Sequence, residues 1–255
     1  MIQLPDPIKA VKKEGNRAVF DISPLMPGFG ATVANPLRRV LLSSLEGAAI
    51  VSIKIKGVDH EYGAIAGVQE DIIQIILNLK KIRCRSYSND PVIMTLSAKG
   101  EGAVTAADIV TSSDVDIVTP TQHICTLTDK KTTLEMELTV KKGRGYESVE
   151  ELQKEKLPIG VIAIDAIYSP VRLVNFTVDD MRVGQRIDYN RVTMEVETDG
   201  TIQPEQAVKE AAGILKDHFE LISAIAVPEA EAKPAKAAKP KPARAGGKVA
   251  KKAKK

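Results

Sequence analysis

The sequence contains no tryptophan and only nine aromatic residues in 255, five Tyr and four Phe. That scarcity argues against the stacking platforms that hold single-stranded nucleic acid, and it requires an aliphatic core. The two cysteines, Cys84 and Cys125, are too few and too far apart for a disulfide framework or a zinc ribbon; they fit a reducing compartment and read as ordinary core or half-buried residues. No apolar run approaches the roughly 18 residues of a membrane helix, and the N-terminus MIQLPDPIKAVKKEG lacks the apolar region of a signal peptide. A soluble, cytoplasmic protein with no membrane partner is expected. Histidine occurs only at His60, His123 and His218, none with a partner at metal-ligand spacing. After His60-Glu61 comes Tyr62-Gly63-Ala64, so the second histidine of a zinc-protease helix is missing. There is no GxxxxGK[ST] phosphate loop. The run from Gly28 to Val33 starts like a dinucleotide fingerprint but places Val33 where the third glycine belongs. Asp114 with Asp116, and Asp179 with Asp180, read as solvated acid pairs on turns. No metal, cofactor or catalytic constellation is expected.

What is present is a foldable body with an unlike tail. Hydrophobic residues make up 44% and charged residues 27%, enough for a core and one or two domains. The net charge of +3 conceals two signs, because Pro228 to Lys255 carries ten Lys/Arg against two Glu and leaves the preceding residues at −5. With nine Ala, four Pro and no aromatic residue, that last stretch cannot offset the entropy of ordering; it is expected to be disordered, with the folded part ending near Val227.

Arg17 to Leu25 alternates as a strand, which Pro27-Gly28-Phe29-Gly30 breaks. Val33, Leu37, Val40, Leu41 and Leu45 then form one helical stripe, with Arg38, Arg39, Ser43 and Ser44 off it. Asn35 as N-cap with Pro36 at the first position is one start for this helix; a start near Thr32 would put Pro36 inside and kink it. Ala48 to Lys56 reads as a strand and Glu70 to Lys81 as an amphipathic helix with acids first and lysines last. Pro91 to Val140 is β-rich, and Ser148 to Glu151 has capping-box spacing. Val161 to Ile167, Val171 to Val178 and Arg186 to Glu197 read as strands, the last ending at the turn dipeptide Asp199-Gly200. A final helix runs from Pro204 to about Ser223 with an apolar stripe of Val208, Ala211, Ala212, Leu215, Phe219 and Ile222. Two long amphipathic helices at opposite ends with a β-rich middle predict an α+β fold in which the ends come together and the middle is an insert.

The segment GFGATVANPLRRVLLSS, residues 28 to 44, resembles the signature helix of the bacterial RNA polymerase alpha subunit family. HEYGAIAGVQEDIIQIILNL at 60 to 79, KGRGY at 142 to 146, SPVRLVNFTVDDMRVGQRIDYNRVTME at 169 to 195 and TDGTIQPEQAVKEAAGIL at 198 to 215 extend the resemblance, in family order, over nearly all of residues 1 to 225. It implies a homodimeric, non-catalytic scaffold for the beta and beta' subunits of an enzyme that is a nucleotidyltransferase only as a whole. It also implies a discontinuous dimerisation domain of residues 1 to 51 and 169 to 226 and an insert domain of 52 to 168, leaving 227 to 255 as the disordered tail expected from composition. By the same resemblance Arg38 and Arg39, Glu70 and Asp71, and the loop Arg182, Val183 and Gly184 fall in segments that hold the large subunits, with Arg39 at a beta contact. The helical stripes, including Val33, Leu37, Leu41 and Leu45 and then Val208, Leu215 and Phe219, are expected to meet their copies across a two-fold axis. Ala34-Asn35-Pro36 departs from the family's usual Gly-Asn-Ala.

The family's carboxy-terminal domain, which binds upstream promoter DNA and activators, has no counterpart before Lys255, so promoter recognition is not expected to carry over. In its place Lys248, Lys251, Lys252, Lys254 and Lys255 end a strand with a single arginine, Arg244. This tail either contacts DNA without reading sequence or serves as a solubilising extension. Each phosphate it neutralises adds about 0.9 to the logarithmic salt slope on duplex DNA. If it contacts DNA, truncation after Val227 is expected to leave assembly intact, weaken binding at low salt on every sequence alike, and flatten that slope; an unchanged slope means a solubilising extension. A free-standing nucleic-acid-binding protein draws only on this tail, since the acidic body repels phosphates.

Overall fold

The computed structural model describes residues 4–153, 158 and 160–225; the expected disordered tail, with its lysines, lies outside the described residues. In chain order the elements are β1 (Lys9–Glu14), β2 (Arg17–Leu25), α1 (Phe29–Ser43), β3 (Glu46–Ile55), α2 (Ile72–Leu79), β4 (Cys84–Ser86), β5 (Val92–Lys99), β6 (Gly102–Thr105), β7 (Ile109–Val110), β8 (Val115–Ile117), β9 (His123–Leu127) and β10 (Thr133–Arg144). There follow β11 (Tyr146–Glu147), α3 (Val149–Gln153), β12 (Val161–Ala163), β13 (Ala166–Ile167), β14 (Val171–Val183), β15 (Arg186–Thr198) and α4 (Pro204–Ser223). The fold is α+β, with antiparallel sheets.

The first sheet joins the two ends of the chain in the order β1-β2-β15-β14. Ala18 lies opposite Val196, and Ile22 opposite Val192. Period-two alternation puts Ala18, Phe20 and Ile22 of β2 and Val192, Met194 and Val196 of β15 in one core with Leu37 and Leu41 of α1 and Ala207 and Ala211 of α4. The second sheet runs β7-β5-β10-β3-β4-β8, with β12 added to β3. A separate core holds Met94, Leu96, Leu134 and Leu138 from this sheet with Ile72, Ile75 and Leu79 of α2. A smaller cluster of Ala49 and Val51 with Ala163, Ala166 and Tyr168 covers the other face of β3.

Tyr168 sits where the second sheet meets β14. Gly47 and Gly143 face each other across β3 and β10 and leave the slot it occupies. A Cβ on Gly47 would lie 1.8 Å from the Tyr168 carbonyl oxygen, and one on Gly143 would lie 2.5 Å from its ring. The ring's hydroxyl donates to Glu147 at 2.7 Å. A second joint lies at the turn between β15 and α4. The Asp199 carboxylate accepts the Thr201 N–H at 2.9 Å and its hydroxyl at 2.6 Å, and faces the Arg83 Nε at 3.7 Å. Arg85 of β4 donates to the Thr201 carbonyl, so one arginine of the second sheet and one just before it meet the turn that leads into α4.

Several expected boundaries move. α1 begins at Phe29, ahead of both expected starts, and continues through Pro36. The strand expected over Val161 to Ile167 is two short strands, because β12 pairs with β3 while β13 pairs with β11. β14 runs five residues past Val178. Cys84 and Cys125 are fully buried, as their reading as core residues required, and burial pushes both thiols up to about 12.

Candidate protein interface

The N-terminus of α1 is built from outside the helix. Its N-cap, Gly28, sits at φ 83 and supplies no side chain. The Asn190 Oδ1 of β15 instead accepts the N–H of Gly28 at 2.9 Å and of Gly30 at 3.4 Å, satisfying donors that the first turn leaves free. Gly30 has no room for a side chain, since a Cβ there would lie 2.6 Å from Val178 Cγ1. Thus docked, α1 buries Gly30, Ala34, Leu37 and Leu41 and turns Arg38, Arg39 and Leu42 outward. The side chains of Arg38 and Arg39 make no hydrogen bond or ion pair among the described residues, and Leu42 beside them is 37% exposed. Two unpaired cations and an apolar neighbour form a surface suited to a partner's carboxylates.

β14 and β15 form a long hairpin whose tip is exposed around Gly184 and Gln185. Arg182 is partly engaged in the turn: its Nε donates to the Gly184 carbonyl at 2.9 Å, while the side chain remains exposed. Val183 is half-buried and Gly184 exposed. The stem is tied to α1 through Asn190, whose amide donates to Asp180 Oδ1 at 3.1 Å.

Glu70 and Asp71, adjacent in sequence, have different surroundings. The Glu70 carboxylate is taken up within the chain, accepting from the Thr126 N–H at 2.6 Å and hydroxyl at 3.0 Å, with His123 Nε2 3.0 Å away. Burial pushes its carboxyl up, but these bonds together outweigh it and hold the group below its ordinary value. Glu70 therefore anchors the start of α2 to β9, while the resemblance places it with Asp71 in a segment that holds the large subunits. Asp71 is exposed and its side chain caps nothing. Beside it Ile73 and Leu77, one turn apart on the outer face of α2, are 46% and 50% exposed. Sequence reading does not single them out, although the run IIQIILNL, with six Ile/Leu in eight residues and polar side chains only at Gln74 and Asn78, carries more apolar surface than one buried face needs.

The helical stripes expected to pair with their copies are mostly used inside the chain. Leu37, Leu41, Leu45 and Val208 are buried, while Val33 and Leu215 are half-covered. The physical reason is that α1 and α4 pack on the first sheet and on each other within one chain. Of the large residues in the expected stripes Phe219 and Ile222 stand clear, 59% and 58% exposed, together with Leu221 and Ile225 at the end of α4. Lys248, Lys251, Lys252, Lys254 and Lys255 lie outside the described residues.

An open cleft of about 590 Å³ lies between α4 and strands β3 and β4. Its charged side chains are occupied: Arg85 by Thr201, Lys142 by the Tyr87 carbonyl, Glu210 by Gln206 and Glu46 by Arg144. Among the described residues no group of three or more His, Cys, Asp or Glu is placed to hold a metal ion, and no helix is long and apolar enough to cross a membrane.

The RNA polymerase Rpb3/RpoA insert domain matches residues 52–169. The chain is 50% identical over 202 residues to the DNA-directed RNA polymerase subunit alpha of Symbiobacterium thermophilum, covering 79% of this chain and 64% of that protein. It is 48% identical over 216 residues to that of Roseiflexus castenholzii, covering 85% and 66%. The corresponding subunit of Clostridium beijerinckii is 44% identical over 228 residues, 88% of this chain and 72% of that one. The chain thus spans about two thirds of the length of the curated relatives it matches. With identities of 44% to 50% over 79% to 88% of its length, the chain belongs to the family of DNA-directed RNA polymerase alpha subunits.

Proposed function

We propose that the chain is a non-catalytic subunit of DNA-directed RNA polymerase, a homodimeric scaffold on which the beta and beta' subunits assemble for transcription. The observation that carries this reading is the exposed Arg38 and Arg39 pair, unpaired among the described residues, on a helix whose opposite face is anchored in the core. Polar surface held on an anchored helix and left without partners among the described residues suits a protein contact more than catalysis. The exposed end of α4, with Phe219, Leu221, Ile222 and Ile225, supports self-association, since a second copy can bury the same patch across a two-fold axis. Asp71 with Ile73 and Leu77 supplies a second mixed surface for a large subunit, and the hairpin tip around Arg182, Val183 and Gly184 a third.

Co-expression with the two large subunits tests the proposal. The expected product is one stable particle holding two copies of this chain and one of each large subunit, active in template-directed RNA synthesis, whereas the chain alone incorporates no nucleotide. Recovery of the chain only as a monomer, with neither large subunit retained, would refute it.

A further inference from the structure

We propose that Asn190 is a positioning residue that joins α1 and the β14–β15 hairpin into one docking unit. The proposal rests on the reading above that both elements hold the large subunits. Asn190 continues the inward-facing row of Val192, Met194 and Val196 on β15, where an apolar residue would be expected, and it is only 8% exposed. A polar side chain buried there costs stability unless every group is satisfied. Its carbonyl oxygen accepts from Gly28 and Gly30 at the head of α1, and its amide donates to Asp180 on the hairpin stem. It also lies where the register between β15 and β2 shifts, between Asn190 and Val192, so the backbone at this point is aimed differently from a regular ladder. A Cβ on Gly30 would lie 3.2 Å from the Asn190 Cβ, so helix and strand are in close contact at the same spot.

Both halves of the amide are needed. A carboxylate of the same shape can accept from the helix, and the helix dipole favours it, but it cannot donate to Asp180 and would repel it. The polarity of the strand-to-strand bond can be reversed by exchanging the two residues, which keeps an acceptor at the helix and a donor–acceptor pair across the hairpin.

Three variants of the full chain, Asn190→Ala, Asn190→Asp and the exchange Asn190→Asp with Asp180→Asn, are compared by amide hydrogen exchange and by capture of the large subunits, with Arg39→Ala alongside. In Asn190→Ala the amides of Gly28 and Gly30 and those of residues 179–189 are expected to exchange about tenfold faster, and capture to weaken by about tenfold, the scale of a lost helix cap. Asn190→Asp keeps the protection of Gly28 and Gly30 but loses that of the hairpin and weakens capture. The exchange restores both hairpin protection and capture. Normal capture by Asn190→Ala, or an exchange variant that regains protection without regaining capture, would overturn the assignment of Asn190. Normal capture by Arg39→Ala would instead overturn the interface reading on which it rests.

Discussion

A chain carrying Arg39→Ala is expected to fold and self-associate as before, yet to weaken capture of the beta subunit by about 30-fold or more. The side chain makes no hydrogen bond or ion pair among the described residues, so its removal leaves no buried group unsatisfied. Surface changes of that kind usually alter stability by less than about 0.5 kcal/mol. Truncating an arginine anchor at a protein interface typically costs about 2–4 kcal/mol, or roughly 30- to 1000-fold in affinity. Arg39→Lys is expected to restore only part of it, because a point charge does not reproduce a planar fork of donors. Sedimentation reports the self-association and affinity capture reports the partner. A variant that dissociates into monomers, or that still retains beta at native strength, would show that Arg39 has some other role.

Gly47→Ala is expected to destabilise the chain by about 3 kcal/mol, the upper end for an overpacked site, lowering Tm by about 6–12 °C. The added methyl would sit 1.8 Å from the Tyr168 carbonyl oxygen, and this neighbour is backbone that cannot rotate away. Gly143, directly opposite on β10, lies under the Tyr168 ring on the same face of the sheet, so Tyr168 is packed closely on both strands and must lift from both to admit the methyl. Gly213→Ala is the matched control: it lies within α4 with nothing within 4 Å of its added Cβ, and replacing a helical glycine there is expected to stabilise by about 0.5–1 kcal/mol. A thermal melt of the Gly47 variant that coincides with the native one would contradict this account of the joint.

Legibility in the sequence follows how local each determinant is. β2 was expected over Arg17 to Leu25 and α4 over Pro204 to about Ser223, and both are found there, because alternation and a proline at the first helical position are signals written within the element. The start of α1 is not legible for the opposite reason. Its cap comes from Asn190, some 160 residues away, and Gly28 carries no side chain to mark it. β1, with the sequence KAVKKE, does not read as a strand at all; its charges suit an edge that lies against β2 alone. The interface residues divide in the same way. Arg38 and Arg39 stand out as polar positions off an apolar stripe, whereas only tertiary packing shows that Glu70 is held by Thr126 while Asp71 remains outside. Leu37 and Leu41 show the limit of the stripe itself, because periodicity identifies a face to be covered and does not say whether the cover comes from the same chain.

The pairing of β2 with β15 has a consequence for synthesis. Ala18 meets Val196, so during translation β2 and α1 emerge long before the strand that completes their sheet. At about 5–20 residues per second the wait is roughly 10–35 s. Throughout that interval Phe20, Ile22, Leu37 and Leu41 have no partner from the far end of the chain. The second sheet, with its own core, can form on the ribosome in the meantime, and its antiparallel strands return the chain beside β3 before β14 is made. By then most of the loop between β2 and β15 is already folded, so the entropy of closing it is far smaller than its length in residues suggests. The middle of the chain thereby acts as a timer and a splint for its two ends.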